Sequence, residues 1–252
     1  MRSQRIDDIR QYIYDNKTVT LDQLCENFQI SKSTLRRDLV SILQSSDIKK
    51  IYGGVTALPK KELVSFEERN ISNIEVKRKI AATAASFVQD NDIIFIDSGT
   101  TTLPVVDYIK DKQNITILTN NVEIILHAIP YSNINVISLS GALNRKTLSF
   151  TGPSAAPVLQ NYNISKAFMA ATGFSIVSGV TNSSPPESEI KRMAIQRSQK
   201  IFLLADSGKC GNVSLITYCD LNKVNTLITD AEPPKEYTEY FKKFGNEIII
   251  AK

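Results

Sequence analysis

Residues 97–102 read Asp-Ser-Gly-Thr-Thr-Thr and directly follow a short apolar run, residues 93–96. The run is rich in isoleucine, too short for an independent helix and bounded by aspartates, so it predicts a buried strand. Gly99 lets a backbone approach a ligand closely, and threonine hydroxyls together with the amides of a following helix, residues 103–109, can hold an anion. A phosphate would fit such a loop, although an ordinary capped turn uses the same residue types.

Polar clusters also follow four later strands, and each contains residues suited to binding. A glycine after one strand is weak evidence, but the carboxyl ends of parallel strands meet at one edge of a sheet, where ligands bind. Five clusters at one edge favour a binding site. The candidate ligand-binding residues are Asp97, Ser98, Gly99, Thr100, Thr101, Thr102, Asn120, Gly141, Arg145, Gly173, Glu187 and Lys209.

The elements that must position these residues alternate along the chain from about residue 74. Short apolar strands between amphipathic helices predict an α/β fold with a mostly parallel sheet covered on both faces. The strands are expected at 93–97, 115–119, 135–139, 166–171, 201–205, 224–229 and 247–250. The helices are expected at 75–88, 103–109, 122–129, 154–160, 186–198 and 234–244, with a loop at 140–151.

The composition fits a soluble protein with a real core. The chain has 252 residues, of which 42% are hydrophobic, and no apolar run approaches the ~18 residues of a membrane helix. Its first residues are polar and lack the apolar core of a signal peptide, so we expect a cytoplasmic protein without membrane contact. Three cysteines without CxxC spacing suggest neither disulfides nor a zinc site, and no metal or cofactor is expected.

Positive charge is concentrated at the start of the chain. Residues 1–61 contain 11 Lys and Arg against 7 Asp and Glu, whereas the remaining residues contain 19 of each. A small basic module in front of a neutral body is the asymmetry expected of a nucleic-acid reader joined to another domain.

Three amphipathic helices are predicted in this module, at residues 5–15, 21–28 and 32–45. Thr20 and Ser31 are suitable caps for the second and third helices. The third helix begins with polar and basic residues and keeps its apolar residues on the other face. A recognition helix needs this distribution, because its first turns enter the major groove while its apolar face holds it to the scaffold. A solvated helix face with ordinary charges is the simpler alternative.

The residues that follow favour the DNA-binding interpretation. Residues 48–56 predict a β-hairpin with Gly53 and Gly54 at its turn, which would form a basic wing beside the third helix. Three helices and a wing make a winged helix-turn-helix. The candidate DNA-binding residues are Lys32, Ser33, Thr34, Arg36, Arg37, Lys49, Lys50 and Tyr52.

The run from Ser31 to Leu39, with Tyr-Gly-Gly at residues 52–54, resembles the DeoR family of bacterial transcription regulators. Later elements, Asp-Ser-Gly-Thr-Thr, Thr-Asn and Asp-x-x-Lys, occur in the same order as in the effector domain of that family. The resemblance covers the whole chain and implies that Arg36 and Arg37 are the main DNA contacts. It also implies an effector domain that looks like the fold of ribose-5-phosphate isomerases and CoA transferases. Residues 140–141 depart from the family pattern, reading Ser-Gly instead of Gly-Gly.

A finer resemblance concerns the ligand. Residues 145–147, 162–173 and 179–183 resemble the subgroup that represses inositol-utilisation genes and senses a phosphorylated breakdown product. In that interpretation the phosphate lies on residues 98–102, and Lys209 and Arg145 supply positive charge. Asp97, Asn120 and Glu187 are left for sugar hydroxyls.

An isomerase with an accessory DNA-binding module is the rival hypothesis. Aldose–ketose isomerisation needs a base, and the related isomerases supply it from an acid-rich segment. The matching residues 170–173, Ala-Ala-Thr-Gly, contain no carboxylate. The only histidine, His127, is expected to be structural or exposed, and Glu187 is more easily a cap or an interface contact. No catalytic residue is predicted.

The sequence thus predicts a winged helix-turn-helix domain at residues 1–58, a linker at 59–73 and an α/β effector and oligomerisation domain at 74–252. The predicted function is a repressor of a carbohydrate operon. Its expected partners are double-stranded operator DNA, a phosphorylated sugar or sugar acid, and further copies of itself in a homodimer or homotetramer.

Overall fold

The computed structural model describes residues 2–43, 48–57 and 65–252 of the chain. The chain divides into two compact units, residues 1–62 and 63–252. None of the helices in the described ranges is both long and apolar enough to cross a membrane.

The first unit is a three-helix module with a small sheet. Its elements are α1 (Arg2–Asn16), β1 (Thr18–Thr20), α2 (Leu21–Phe28), α3 (Lys32–Ile42), β2 (Ile48–Ile51) and β3 (Gly54–Ala57). The helix termini follow from local chemistry. Thr20 and Gln23 form a reciprocal capping box on α2, Gln29 ends that helix in the left-handed conformation, and Ser31 caps α3. The expected end of the third helix beyond residue 43 lies outside the described residues.

The strands of this unit pair in the antiparallel order β1-β3-β2. β2 and β3 form the expected hairpin, with its turn at Tyr52 and Gly53. Ile9, Leu35 and Val55 from different elements share one buried core with the other inward apolar residues of the unit. The winged helix-turn-helix arrangement predicted from the sequence is confirmed.

The second unit contains seven α-helices and twelve strands within its described residues. The helices are α4 (Phe66–Ile71), α5 (Ile74–Ala85), α6 (Val105–Tyr108), α7 (Val122–Ala128), α8 (Ala155–Val158), α9 (Pro185–Arg197) and α10 (Lys235–Lys243). The strands are β4 (Ile93–Ile96), β5 (Ile115–Thr119), β6 (Ile134–Ser138), β7 (Ala142–Asn144), β8 (Ser149–Thr151), β9 (Ile164–Ala170), β10 (Gly173–Ser175), β11 (Gly179–Asn182), β12 (Ser198–Leu204), β13 (Ile216–Cys219), β14 (Thr226–Thr229) and β15 (Glu247–Ile250).

Seven of these strands form the main sheet in the order β15-β14-β12-β9-β4-β5-β6, and every neighbouring pair is parallel. Alternate residues of a strand point to opposite faces, so Ile94 and Ile96 enter one apolar core while Phe95 enters the other. Both faces are therefore covered, as predicted. β4 lies near the middle of the sheet, which places the residues after it at the centre of the carboxyl edge.

The sequence analysis missed two smaller sheets. The expected loop 140–151 contains a hairpin of β7 and β8, and a second antiparallel sheet has the order β10-β11-β13. These strands have three or four residues each, which is too short for a periodic pattern to be visible.

The segment after residue 64 also differs from the expectation of a linker reaching residue 73. Ser65 and Glu68 form a capping box on α4, and Phe66 is buried in a core of the second unit. The Phe66 amide donates to the Lys146 carbonyl oxygen at 2.8 Å, which attaches the start of α4 to the β7–β8 hairpin. The residues from 65 onward are therefore part of the folded second unit.

Candidate functional site

The first turns of α3 present the predicted polar surface. The Ser31 hydroxyl accepts from the Thr34 amide at 3.3 Å and lies 2.9 Å and 3.0 Å from the hydroxyls of Ser33 and Thr34. Arg36 and Arg37 are exposed. The next residue, Asp38, is buried and accepts from Arg5 of α1 at 2.8 and 2.9 Å. The Arg-Arg-Asp run thus uses its aspartate to hold α3 to α1 and leaves both arginines at the surface.

The remaining DNA-binding candidates differ in how they are engaged. Lys32 forms an exposed ion pair with Asp22 of α2, with its ammonium 2.6 Å from the carboxylate. The hydrogen bond to Asp22, and then the negative charge of Asp22, raise the pKa of Lys32. Lys49 and Lys50 are exposed on β2, and Tyr52 is fully exposed at the hairpin turn. Basic groups therefore lie on both α3 and the wing of one module.

The loop after β4 has donors that the rest of the protein does not use. Thr100, Thr101 and Thr102 are all buried. Across the described residues, none of their three amides donates a hydrogen bond, and the hydroxyls of Thr100 and Thr101 have no partner. The Thr102 hydroxyl is different, because it donates to the carbonyl oxygens of Asp97 and Gly99 and closes the loop.

The helix expected after this loop is much shorter than predicted. α6 begins after Pro104 and has four residues, whereas residues 100–104 form turns. Pro104 has no amide to donate, and so short a helix adds little dipole. An anion at this loop would therefore gain little from a helix dipole.

Asp97 is occupied by the protein itself. Its carboxylate accepts from the Ser98 amide and the Ala170 amide at 2.9 Å each, and from the Lys191 ammonium. Lys191 also donates to the Ala170 carbonyl oxygen at 3.2 Å and lies 5.2 Å from the centre of the Tyr218 ring. Burial, and then the charge of Asp97, raise the pKa of Tyr218 well above 10. Asp97 therefore fixes the loop against β9, and both oxygens of its carboxylate are used by protein donors.

Glu187 belongs to a second buried network at the same edge. Its carboxylate accepts from the Ser149 hydroxyl at 2.8 Å and from the Asn182 amide at 3.2 Å. The Ser149 hydroxyl also lies 2.8 Å from that of Thr147. The network joins the β7–β8 hairpin to β11 and the first turn of α9, so Glu187 ties two consecutive elements to a hairpin that lies 38 residues earlier in the chain.

Asn120 and Asn121 follow β5 and each keep one unused polar atom. The side-chain Nδ2 of Asn120 donates to the Phe150 carbonyl oxygen at 3.2 Å. The side-chain oxygen of Asn121 caps α7 by accepting from the Ile124 amide. The Asn120 Oδ1 and the Asn121 Nδ2 are buried without a hydrogen-bond partner. A buried acceptor and donor left open in adjacent residues suit a ligand that carries hydroxyl groups.

The other predicted site residues have more varied positions. Gly141 has a φ of +141°, and a side chain there would meet the Thr151 carbonyl oxygen at 2.4 Å, so it allows the hairpin to close. Gly173 is packed against the backbone of Asn212 in the same manner. Arg145 is exposed in the turn between β7 and β8, and Lys209 is half-buried in a turn after β12. His127 is exposed on α7, with its Nδ1 3.3 Å from Asp107.

Sequence reasoning missed two buried cations, Lys77 and Lys191, and the half-buried Arg69. A usable signal existed for the two lysines. Lys191 shares the inward face of α9 with Glu187, Ile190 and Ala194, and a lysine on an apolar helical stripe is uncommon. Lys77 precedes the buried Ile80 and Ala81 of α5 in the same manner.

Comparison with protein families settles the class of the chain. A model of the DeoR-like helix-turn-helix domain matches residues 5–61, and a model of the DeoR C terminal sensor domain matches residues 72–231. The chain belongs to the DeoR family. The family resemblance read from the sequence motifs is confirmed.

Known proteins agree with this assignment. The HTH-type transcriptional regulator IolR of Bacillus subtilis is 42% identical over 251 residues and covers 100% of both chains. The HTH-type transcriptional regulator GolR of Listeria innocua is 30% identical and covers 94% of this chain and 93% of its own. These relatives are named as transcriptional regulators, so this DeoR-family chain is a DNA-binding regulator and not an enzyme.

Among solved structures, a ribose-5-phosphate isomerase in complex with phospho-erythronic acid aligns with 18% identity and a TM-score of 0.40 over 53% of each chain. A likeness at that level supports no inference about the ligand or the reaction of the DeoR-family chain.

Proposed function

We propose that the protein represses a carbohydrate catabolic operon and leaves its operator when a phosphorylated sugar or sugar acid binds the second unit. The observation that carries this proposal is the loop at residues 100–102. Three successive buried amides and two hydroxyls there have no partner among the described residues. Oriented amide groups of this kind favour an anion, and phosphate has enough acceptor oxygens to satisfy several of them.

The open polar atoms of Asn120 and Asn121 support a sugar or polyol portion beside the phosphate. The motifs at residues 145–147, 162–173 and 179–183 point toward a phosphorylated product of inositol breakdown. On this proposal Asp97 and Glu187 position the loop and the hairpin, because their oxygens are already used by protein donors.

The ligand part is tested by calorimetric titration of wild type, Thr101→Val and Lys209→Ala with a panel of sugar phosphates. Lys200→Ala, at an exposed lysine of β12, is the matched control. We expect weaker binding in the first two variants and unchanged binding in the control, since a lost hydrogen bond to a charged group is worth roughly 1.5–3 kcal/mol. Equal affinity in all four proteins would refute the proposed phosphate site.

The DNA part rests on the exposed arginines of α3. Using duplexes selected from a random pool by the wild-type protein, we expect Arg36→Ala or Arg37→Ala to weaken binding by roughly 1–3 kcal/mol. Lys17→Asn removes an exposed cation between α1 and β1 and serves as the control. Affinity should fall steeply with salt concentration. Two arginine variants with wild-type affinity would contradict the assignment of α3 as the recognition helix.

A single module makes few base contacts, so the proposal includes a homodimer or homotetramer that presents two modules to repeated half-sites. Light scattering at the concentration used for DNA binding checks this. A monomer with full DNA affinity would contradict it.

A further inference from the structure

The helices α4 and α5 carry two cations that are withdrawn from solvent, Lys77 almost completely and Arg69 in part. Lys77 is 7% exposed, and its ammonium donates to the carbonyl oxygen of Arg69. Arg69 is half-buried, with its Nε donating to the Ser65 carbonyl oxygen at 3.3 Å and its guanidinium 5.6 Å from the centre of the Phe66 ring. The partners of both side chains are neutral groups of their own helical pair.

Neither cation has a carboxylate within ion-pair distance in the described parts of the chain. Burial lowers the pKa of Arg69, against the opposing charges of Glu187, Asp97 and Glu67. Burial also lowers the pKa of Lys77 from 10.5 to about 8, opposed by the charge of Asp206 and assisted by those of Lys209 and Arg69. Buried cations without a direct counter-ion are unfavourable, so an anion that reached them would gain more than one at the surface.

Two acids of this edge are engaged by other donors of the protein. Asp97 is bound by Lys191 and two amides, and Glu187 by Ser149 and Asn182. Asp206 acts on Lys77 only from beyond ion-pair distance. Among the described residues, Arg69 and Lys77 therefore have no direct carboxylate partner.

The two cations also lie toward the loop with the unused amides. The Phe66 amide of α4 donates to the Lys146 carbonyl oxygen of the β7–β8 hairpin at 2.8 Å, and Ser149 of that hairpin donates to Glu187 at the carboxyl edge. The charge of Asp97 acts on Arg69, and that of Asp206, after β12, acts on Lys77. α5 packs against α6, the helix that the loop leads into. Donors of the loop and cations of α4 and α5 thus converge on one side of the unit.

We propose that Arg69 and Lys77 form the cationic half of the effector site and select a dianion, a phosphate monoester, over a singly charged carboxylate. This inference rests on the proposed function and adds to it a pair of residues and a charge requirement. The anion bridges the amides of residues 100–102 and the two cations, with Lys209 nearby. Two fixed positive charges match the double charge of a phosphate monoester, whereas a monoanion leaves one of them uncompensated.

Two pairs of variants test the proposal. Lys77→Met and Arg69→Gln remove the buried charges, and Lys79→Met and Arg78→Gln remove exposed charges from α5 as matched controls. The probes are inorganic phosphate and ribose 5-phosphate, with ribose as the uncharged comparison. Thermal unfolding at constant ionic strength and calorimetry report binding. We expect both buried-charge variants to bind the phosphate probes at least about tenfold more weakly, and both controls to bind them as wild type does.

Proton uptake on ligand binding distinguishes a direct role of Lys77 from a purely structural one. A bound dianion should raise the pKa of Lys77, which is about 8 in the free protein, so wild type should take up protons when it binds the ligand near pH 8. The uptake is measured as a binding heat that depends on the ionisation enthalpy of the buffer. Lys77→Met should lose this uptake while staying folded.

The outcomes separate the two proposals. If wild type binds the phosphate probes and Thr101→Val does not, but Lys77→Met and Arg69→Gln bind normally, the cationic pair is refuted and the phosphate loop stands. If neither phosphate probe binds wild type, the phosphate site and the cationic pair both fail. Equal binding of phosphate and a monocarboxylate probe, acetate, would refute the charge requirement.

Discussion

Two aspartates flank the strand β4, one at each end, and each pairs with a lysine. Asp92, before the strand, accepts from Lys166 of β9 at 2.7 Å, and Asp97, after it, accepts from Lys191 of α9. Both carboxylates are buried, and both receive further hydrogen bonds. An acid–lysine pair alone is therefore no sign of a binding site in this fold.

The two ends differ in what surrounds the pair. Around Asp92, the Gln89 amide and the Ser165 hydroxyl donate to the carboxylate alongside Lys166. Around Asp97, three further cations and the unused amides of residues 100–102 remain. The proposed binding at the carboxyl edge depends on these unused donors. The paired acid itself is structural at both ends.

The largest expected effect is that of Asp97→Ala. It leaves the Lys191 side chain, 4% exposed, without its counter-ion and removes the acceptor of the Ser98 and Ala170 amides. We expect a loss of about 3–5 kcal/mol in the free energy of unfolding, measured in urea. The double variant Asp97→Ala, Lys191→Met should recover part of this loss, and no recovery would show that the two amides dominate.

Asp92→Ala should have a smaller effect, about 2 kcal/mol, because the Lys166 side chain is 12% exposed and can reach water. Burial raises the pKa of Asp92, but hydrogen bonds from Lys166, Gln89 and Ser165 outweigh it and leave the pKa below 3.8. The stabilisation is therefore complete above that value and disappears as the pH falls through the lowered native pKa. In urea unfolding from pH 6 to pH 2, the free energy of unfolding should fall less steeply with decreasing pH in the variant than in wild type. Parallel curves would contradict the prediction.

A still smaller effect is expected from Lys77→Met in the ligand-free protein, a gain of about 1 kcal/mol at pH 7. The native pKa of Lys77, about 8, lies below the ordinary 10.5, so the unfolded chain binds more protons between these values. Wild type should thus become more stable relative to the variant as the pH rises from 8 to 10. Lys79→Met is the control, and a difference that does not change with pH would show that Lys77 titrates normally.

The first unit could be predicted from the sequence because its signals are local. Thr20, Gln23 and Ser31 cap helices only a few residues away, and Gly53 supplies the turn of the hairpin. The strands of the main sheet were also predictable, since each is a continuous apolar run.

The details of the site depend on contacts between distant residues, which a periodic pattern does not contain. Asp97 and Lys191 are 94 residues apart, and Ser149 and Glu187 are 38 apart. The sequence therefore identified Asp97 and Glu187 as notable acids but did not show that protein donors occupy them. α4 was missed because its six residues are too few for helical periodicity, and Phe66 alone marks its buried face.

One consequence of the loop concerns evolution. A methyl group on Gly99 would lie 2.2 Å from the Cβ of Ala170, so the two positions share the space of a single side chain. Relatives with this loop should therefore covary here, carrying a methyl at one position only when the other is glycine. The double variant Gly99→Ala, Ala170→Gly should fold, whereas Gly99→Ala alone should force the loop away from β9.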